Sequence, residues 1–550
     1  MRNAILGMLF VGALSAQAQF FSEVVEVRVT NVDVVVTDKA GKPVHGLKAD
    51  DFLLFENGEQ KEISNFLEVH EAPEAEVTAT ATPADDATVA PLPDTRQRQI
   101  SVFIDDAVLH PLRRNQILTQ LGKFLESNMR NGDEVMIAAW GNSLKVELEP
   151  TRDRSKIAEA VQHLAARTSA FNEEAHEKEK FHRQLVDLIN IYAARQPPEK
   201  PPLTLGIYEA RTFGMLVTHR MHQRVEALKS VVASMRGAPG RKVLVFVTQN
   251  FTSNPAEEAF RYVDATREQF AADGSNAMEQ VRQFEIPSLI TEIADAANSS
   301  GITLYAIDGS GKEGSMSSTD ASELVRLAPS GATVGGWSQP TLGAIAQQTG
   351  GVALVGSSNW EYAFNTISND LASYYSLGYR STGERQDALR AVEVKLKKKG
   401  YKLRTRRAVI EPSVGQEMND AVAAYLFREP GRNDLAIRAI AGRRATTSGE
   451  AGAVIPVTVT IPTEKLTLLP DGEDLTGSFS LFAAFVRMDG AVSKVSKQTQ
   501  SFRFPKESLA RRKEITVKLD VTADMRTDGV SIGVMDEASR ATGFAAVKVQ

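Results

Sequence analysis

The stretch from Gln99 to His110, QISVFIDDAVLH, constrains this chain more than any other. Apolar Ile100, Val102, Phe103 and Ile104 lead straight into two adjacent carboxylates, Asp105 and Asp106. A short apolar run rich in β-branched and aromatic residues suits a strand covered on both faces, as in the middle of a parallel sheet. Ligands of such sheets gather at the carboxyl ends of the strands, so binding is expected near Asp105. The pattern then repeats, with a helix-like segment over Arg113 to Met129, a strand over Glu134 to Trp140 and a long helical region broken at QPPEKPP. A strand over Lys242 to Thr248, a second helical stretch over Ala256 to Asn298 and a strand over Ile302 to Ile307 follow. This alternation predicts an α/β domain, with Gly350 and Gly351 placed where a later helix stops. RAVEVKLKKKGYKLRTRRAVI alternates as a hairpin about Lys399-Gly400.

On either side the period changes to two. Val24 to Val69 alternates like half-exposed strands, and Asn57-Gly58 predicts a tight hairpin. EAPEAEVTATATPADDATVAPLPD has no apolar periodicity and buries too little surface to fold. Beyond Glu411 a helical connector leads to evenly spaced alternating strands with Gly and Asp turns, a pattern that predicts a β-sandwich. The expected fold class is multidomain α/β plus β. Its divisions are a small β domain at 19–70, a linker at 71–96, an α/β domain at 97–410 with a helical insertion near 165–235, a connector at 411–447 and a β-sandwich at 448–550.

The opening MRNAILGMLFVGALSAQAQ sets Arg2 before an apolar run and ends in Ala16-Gln17-Ala18, a small-x-small cleavage pattern. It predicts a signal peptide over 1–18 and a mature protein in the periplasm or outside the cell. The run is shorter than the roughly 20 apolar residues a membrane span needs, and no transmembrane segment is expected. The chain has no Cys, which removes disulfides and thiolate chemistry. A net charge of −6 over 550 residues, without a dominant basic tract, gives no reason to expect nucleic acid as a partner.

Taken together, VVVTDKAGKPVHGLKADDFLLFENGEQKEISNF, ISVFIDDAVLH, NGDEVMIAAWGNSLKVELEPTRDRSKIAEAV, GRKVLVFVT, LGAIAQQTGGVAL and LASYYSLGYRS resemble the von Willebrand factor type A-related proteins of the acidobacterial type. The resemblance covers roughly Val24 to Val409. It implies a Rossmann-like type A domain, which in that family captures protein ligands through a divalent cation held by D-x-S-x-S, a Thr from a middle loop and a later Asp. Asp105 matches the first ligand, but the two Ser positions hold Ala107 and Leu109, and the later Thr-Asp-Gly reads Thr248-Gln249-Asn250. Thr212 and Thr218 are loose candidates for the middle Thr. A hard cation such as Mg²⁺ wants several oxygens, so the expectation is a degenerate adhesion site with no cofactor, Asp105 and Asp106 being the residual metal candidates. Strand termination and capping of the next helix is the structural alternative for that pair.

Other motifs fall short. His176-Glu177-Lys178-Glu179-Lys180 lacks the second His of a zinc-protease helix, and His219 with His222 lacks a third ligand. Gly309 to Gly314 lacks phosphate-loop spacing. The reading is of an exported, non-enzymatic binding or scaffold protein. It engages a protein or surface polymer through a rim at Asp105, Asp106, Thr248, Gln249 and Asn250. An envelope-polymer hydrolase and a purely structural envelope component are the alternatives.

Overall fold

The computed structural model describes residues 29–70, 97–310 and 338–549, apart from 237, 239, 382–385, 447–451, 489, 491, 510 and 525. The expected signal peptide and linker, and most of the Gly309 to Gly314 loop, lie outside these residues. The fold is mixed α/β with several sheets.

Strand β1 (Val29–Thr37) is the first element of the described residues and is followed by β2 (Phe52–Glu56), β3 (Glu59–Lys61) and β4 (Ile63–His70). The turn between β2 and β3 is Asn57-Gly58, with φ of 50° and 86°, the left-handed pair a two-residue hairpin of this type requires.

The α/β unit begins with β5 (Arg98–Asp105), α1 (Pro111–Asn128), β6 (Glu134–Trp140), β7 (Leu144–Thr151) and α2 (Arg154–Ala166). A helical pair follows, α3 (Phe171–Ala193) and α4 (Leu203–Ser234), then β8 (Arg241–Thr248), α5 (Glu257–Ala265), α6 (Leu289–Ser299) and β9 (Ile302–Asp308). After α7 (Ser338–Gln348), β10 (Ala353–Leu354) and α8 (Trp360–Ala372), the sheet order is β10-β9-β8-β5-β6-β7. Only β7 runs antiparallel to its neighbour. Every residue of β5 is buried, as its apolar run predicts. Alternation splits the strand between two cores. Ile100, Val102 and Ile104 pack with α1, α2 and α8, and Phe103 packs with α4, α6 and α7.

The helical insertion is only partly an insertion. Val225, Leu228, Val231 and Val232 in the second half of α4 cover the parallel sheet, whereas Ile207 and Ala210 in its first half join Phe181 and Leu185 of α3 and Phe260 of α5 in a separate core. Gly206 permits that second packing, because a Cβ there would stand 2.8 Å from the Phe270 ring.

Strands β11 (Ser373–Arg380), β12 (Leu389–Leu396), β13 (Lys402–Thr405) and β14 (Ala408–Ile410) depart from the sequence reading, which placed them in the α/β domain. They pair with the N-terminal strands in two sheets, β13-β1-β11-β4 and β14-β12-β2-β3, around one shared core. The expected ladder about Lys399-Gly400 does not form, since β12 and β13 join different sheets, although Gly400 does turn with φ of 94°. The physical reason is visible in β12, which alternates exposed and buried as a one-sided antiparallel strand does. Arg404 ties this β unit to α8 through two 2.7 Å bonds to Asp370.

The connector contributes α9 (Val414–Ala424), followed by β15 (Arg438–Ala441), β16 (Ala445–Thr446), β17 (Gly452–Pro462), β18 (Leu469–Asp471), β19 (Asp474–Arg487), β20 (Ser496–Pro505), β21 (Glu514–Asp524), β22 (Thr527–Asp536) and β23 (Thr542–Lys548). They form two antiparallel sheets, one centred on β17 and one on β19, with a common core that includes Val457, Val459, Leu481 and Ile532. Met418 and Val422 of α9 pack against Phe482 and Met535. Among the described residues no helix is long and apolar enough to cross a membrane.

Candidate functional site

The carboxyl ends of the parallel strands bring Asp105, Thr248 and Asp308 to one edge, with Thr248 and Asp308 opposite each other in the register of β8 and β9. After Asp105 the chain turns sharply, with Ala107 N–H donating to Trp140 O at 3.0 Å. This turn sends the two neighbouring carboxylates to different partners.

Asp106 is enclosed by cations. Arg114 of α1, itself 1% exposed, forms an ion pair with it and donates to Leu164 O at 2.8 Å. Arg167 adds a bond of 3.2 Å to Asp106 and an ion pair to Glu147. Ser169 Oγ donates to Asp106 O at 3.1 Å and accepts from Phe171 N–H, which fixes the start of α3 over the same corner.

Asp105 has fewer partners. Its Oδ2 accepts from Thr248 Oγ at 2.7 Å, and its Oδ1 lies 3.8 Å from Arg224 Nε without a hydrogen bond of its own. Arg224 comes from α4, is 4% exposed and forms an ion pair with Glu174 of α3. Burial pushes the Asp105 carboxyl up to about 6, helped by Glu174 and Asp106 and opposed by Arg224 and Thr248. Burial works against the charge on Arg224 too, but Glu174 and Asp105 outweigh it and hold the guanidinium more firmly charged than usual.

These residues do not fit a divalent cation. Ala107 and Leu109 offer hydrocarbon where oxygens would be needed, and a Cβ at Gly309 would stand 2.5 Å from Leu109 Cδ2, so the side chain of fully buried Leu109 fills that ground. A guanidinium already stands beside the free oxygen of Asp105. Thr212 is spent on Tyr208 O within its own helix, and Thr218 Oγ is buried without a hydrogen bond. Among the described residues no three His, Asp or Glu side chains stand gathered as a metal group.

The expected partner-binding rim is therefore split. Asp105, Asp106 and Thr248 are buried and face inward, whereas Gln249 is half-buried, accepting weakly from His110 N–H at 3.5 Å, and Asn250 is exposed in the left-handed region with φ of 56°. Sequence reasoning missed Arg114, Arg167, Glu174 and Arg224. For Arg224 the signal was present, since it interrupts the apolar stripe of Met221, Val225 and Leu228.

No protein-family model matches the sequence, and no curated protein matches it. Among solved structures, the chain is similar to an aerotolerance-related membrane protein from Bacteroides fragilis, at 10% identity and a TM-score of 0.24 over 50% of this chain and 98% of that one. It is also similar to BatB, a conserved hypothetical protein from Bacteroides thetaiotaomicron, at 10% identity and a TM-score of 0.23 over 50% of this chain and 96% of that one.

Proposed function

We propose that this chain is an exported, non-enzymatic binding or scaffold protein of the cell envelope. Its α/β unit acts as a von Willebrand type A-like domain with a degenerate cation edge, and its last domain is a β-sandwich. The observation that supports this reading is Arg224 beside Asp105 at the carboxyl edge of the parallel sheet. In an adhesion site of the type A kind the metal supplies both the charge that balances the first Asp and the open position that a partner's carboxylate fills. A guanidinium supplied by α4 balances the charge without offering an open coordination position. Partner capture is then independent of metal and uses the exposed side chains around the edge, Asn250 among them.

The test is a photo-crosslinking residue at position 250 of the full chain, expressed in its native cells. A discrete adduct that forms equally with and without chelator is the expected result. An adduct that requires Mg²⁺ contradicts the metal-free reading, and the absence of any adduct contradicts the role of this edge. Fractionation of the same cells tests export, which predicts the processed chain outside the cytoplasm.

A further inference from the structure

One sheet of the last domain ends on a free strand. Strand β21 pairs with β17 over its whole length of 11 residues without a register shift, and among the described residues no strand pairs with its other side. The direction of its backbone groups follows from β17. Pro456 O accepts from Gly442 N–H at 2.7 Å, on the side of β17 away from β21. Asp520 stands opposite Pro456, and directly opposed residues of an antiparallel pair turn their backbone groups either both toward each other or both away. Thr516, Lys518, Asp520 and Thr522 therefore turn N–H and C=O outward. Edges of this kind are commonly blunted by a bulge or a proline, and β21 has neither. It does carry charge. Lys518 and Asp520 are exposed, share one face and have no ion-pair partner among the described residues. On the inward face Ile515, Val517 and Leu519 are half-buried, whereas Ile455, Val457, Val459 and Ile461 of β17 are fully buried, so the core is left incompletely covered along this edge.

We infer that β21 pairs antiparallel with β21 of a second copy of this chain, about a two-fold axis at Leu519. Leu519 is the midpoint of Glu514–Asp524, so this register gives full overlap of the two strands. The same register sets Lys518 opposite Asp520 of the second copy and Asp520 opposite its Lys518, two complementary cross-strand pairs. Moving the axis by one residue in either direction sets Lys518 or Asp520 against its own copy, a like-charge pair. Full overlap and charge complementarity therefore select one register. Glu514, at the end of the strand, is already held in an ion pair by Arg438. Val517 then faces Val521 and Ile515 faces Ala523, which carries the apolar row across the contact and covers the half-buried side chains. A two-fold contact closes on itself, so it consumes the free edge without building a filament.

The experiment is sedimentation velocity of the full chain over a range of micromolar concentrations, where a reversible dimer is expected. Lys518→Asp and Asp520→Lys should each weaken the dimer roughly tenfold or more, because each turns both complementary pairs into like-charge pairs. An equal mixture of the two variants should recover it as a mixed dimer, since every pair is then complementary again. The chain has no Cys, so Leu519→Cys places a single thiol opposite its own copy. A non-hydrogen-bonded pair there holds the Cα atoms about 4.5 Å apart, within disulfide reach. Mild oxidation should give a covalent dimer, and Gln498→Cys on exposed β20 should not. Unchanged circular dichroism confirms that the variants fold. Three results overturn the inference: a wild-type monomer throughout, which leaves the edge to a strand of another protein, a dimer indifferent to both charge reversals, or a mixture that does not recover the dimer.

Discussion

Asp105 and Asp106 are adjacent, both buried at one sheet edge, and differently served. Asp106 has two guanidiniums within bonding distance, from α1 and from the loop after α2. Asp105 has one hydroxyl and one guanidinium that stops 3.8 Å short, leaving an oxygen without a hydrogen bond. A buried carboxylate that is fully paired is held charged, whereas one that is partly paired keeps its proton longer. The difference separates a carboxylate held by two guanidiniums from one that keeps an oxygen without a hydrogen bond.

The largest effect is expected on the Asp106 side. Asp106→Ala leaves Arg114 buried with no carboxylate, and a guanidinium cannot shed its proton to escape. Denaturant unfolding should show a loss of about 3 to 5 kcal/mol. A loss below about 1 kcal/mol would mean that Leu164 O and Asn115 Oδ1 suffice for Arg114.

A smaller effect concerns pH. The folded Asp105 carboxyl is raised to about 6, above its ordinary value of about 3.9 when unfolded. The native state therefore holds this proton more tightly. The associated stability is fully present below about pH 4 and is lost as pH rises through about 6, by about 2 to 3 kcal/mol. Urea midpoints of wild type and Asp105→Asn compared at pH 4 and pH 7 should diverge in that direction. A constant gap across this window contradicts the assignment.

Smaller again is Arg224→Met, expected to cost about 1 to 2 kcal/mol. Here the stranded group is a carboxyl that neutralises by taking a proton, and Glu174 is partly exposed to water. Carbon NMR of the Asp105 carboxyl should show its titration moving upward in this variant. Last, Asn250→Ala should cost about 1 kcal/mol through the left-handed backbone alone. A cost near zero would show that the rim relaxes.

What the sequence disclosed follows the same division between local and distant causes. The run from Ile100 to Ile104 was legible because burial on both faces leaves mostly apolar residues, and the turns at Asn57-Gly58 and Gly350 because these residues take φ above zero. The antiparallel edge strand β7 went unread, although LKVELEPT alternates. The pairing of β11 with β1 and β4 joins residues more than 300 positions apart, and no local pattern specifies such a partner. At the site, the missing oxygens at Ala107 and Leu109 were readable from spacing. Arg224 was not assigned, because its place beside Asp105 depends on how α4 crosses the sheet.

The central claim is that the chain supplies its own cation to Asp105. Calorimetric titration of the full chain with Mg²⁺ beside Asp105→Ala tests it most directly. The account predicts no Mg²⁺ binding that depends on Asp105. Saturable Mg²⁺ binding in the wild type, abolished by Asp105→Ala, would contradict it and restore a metal to this edge.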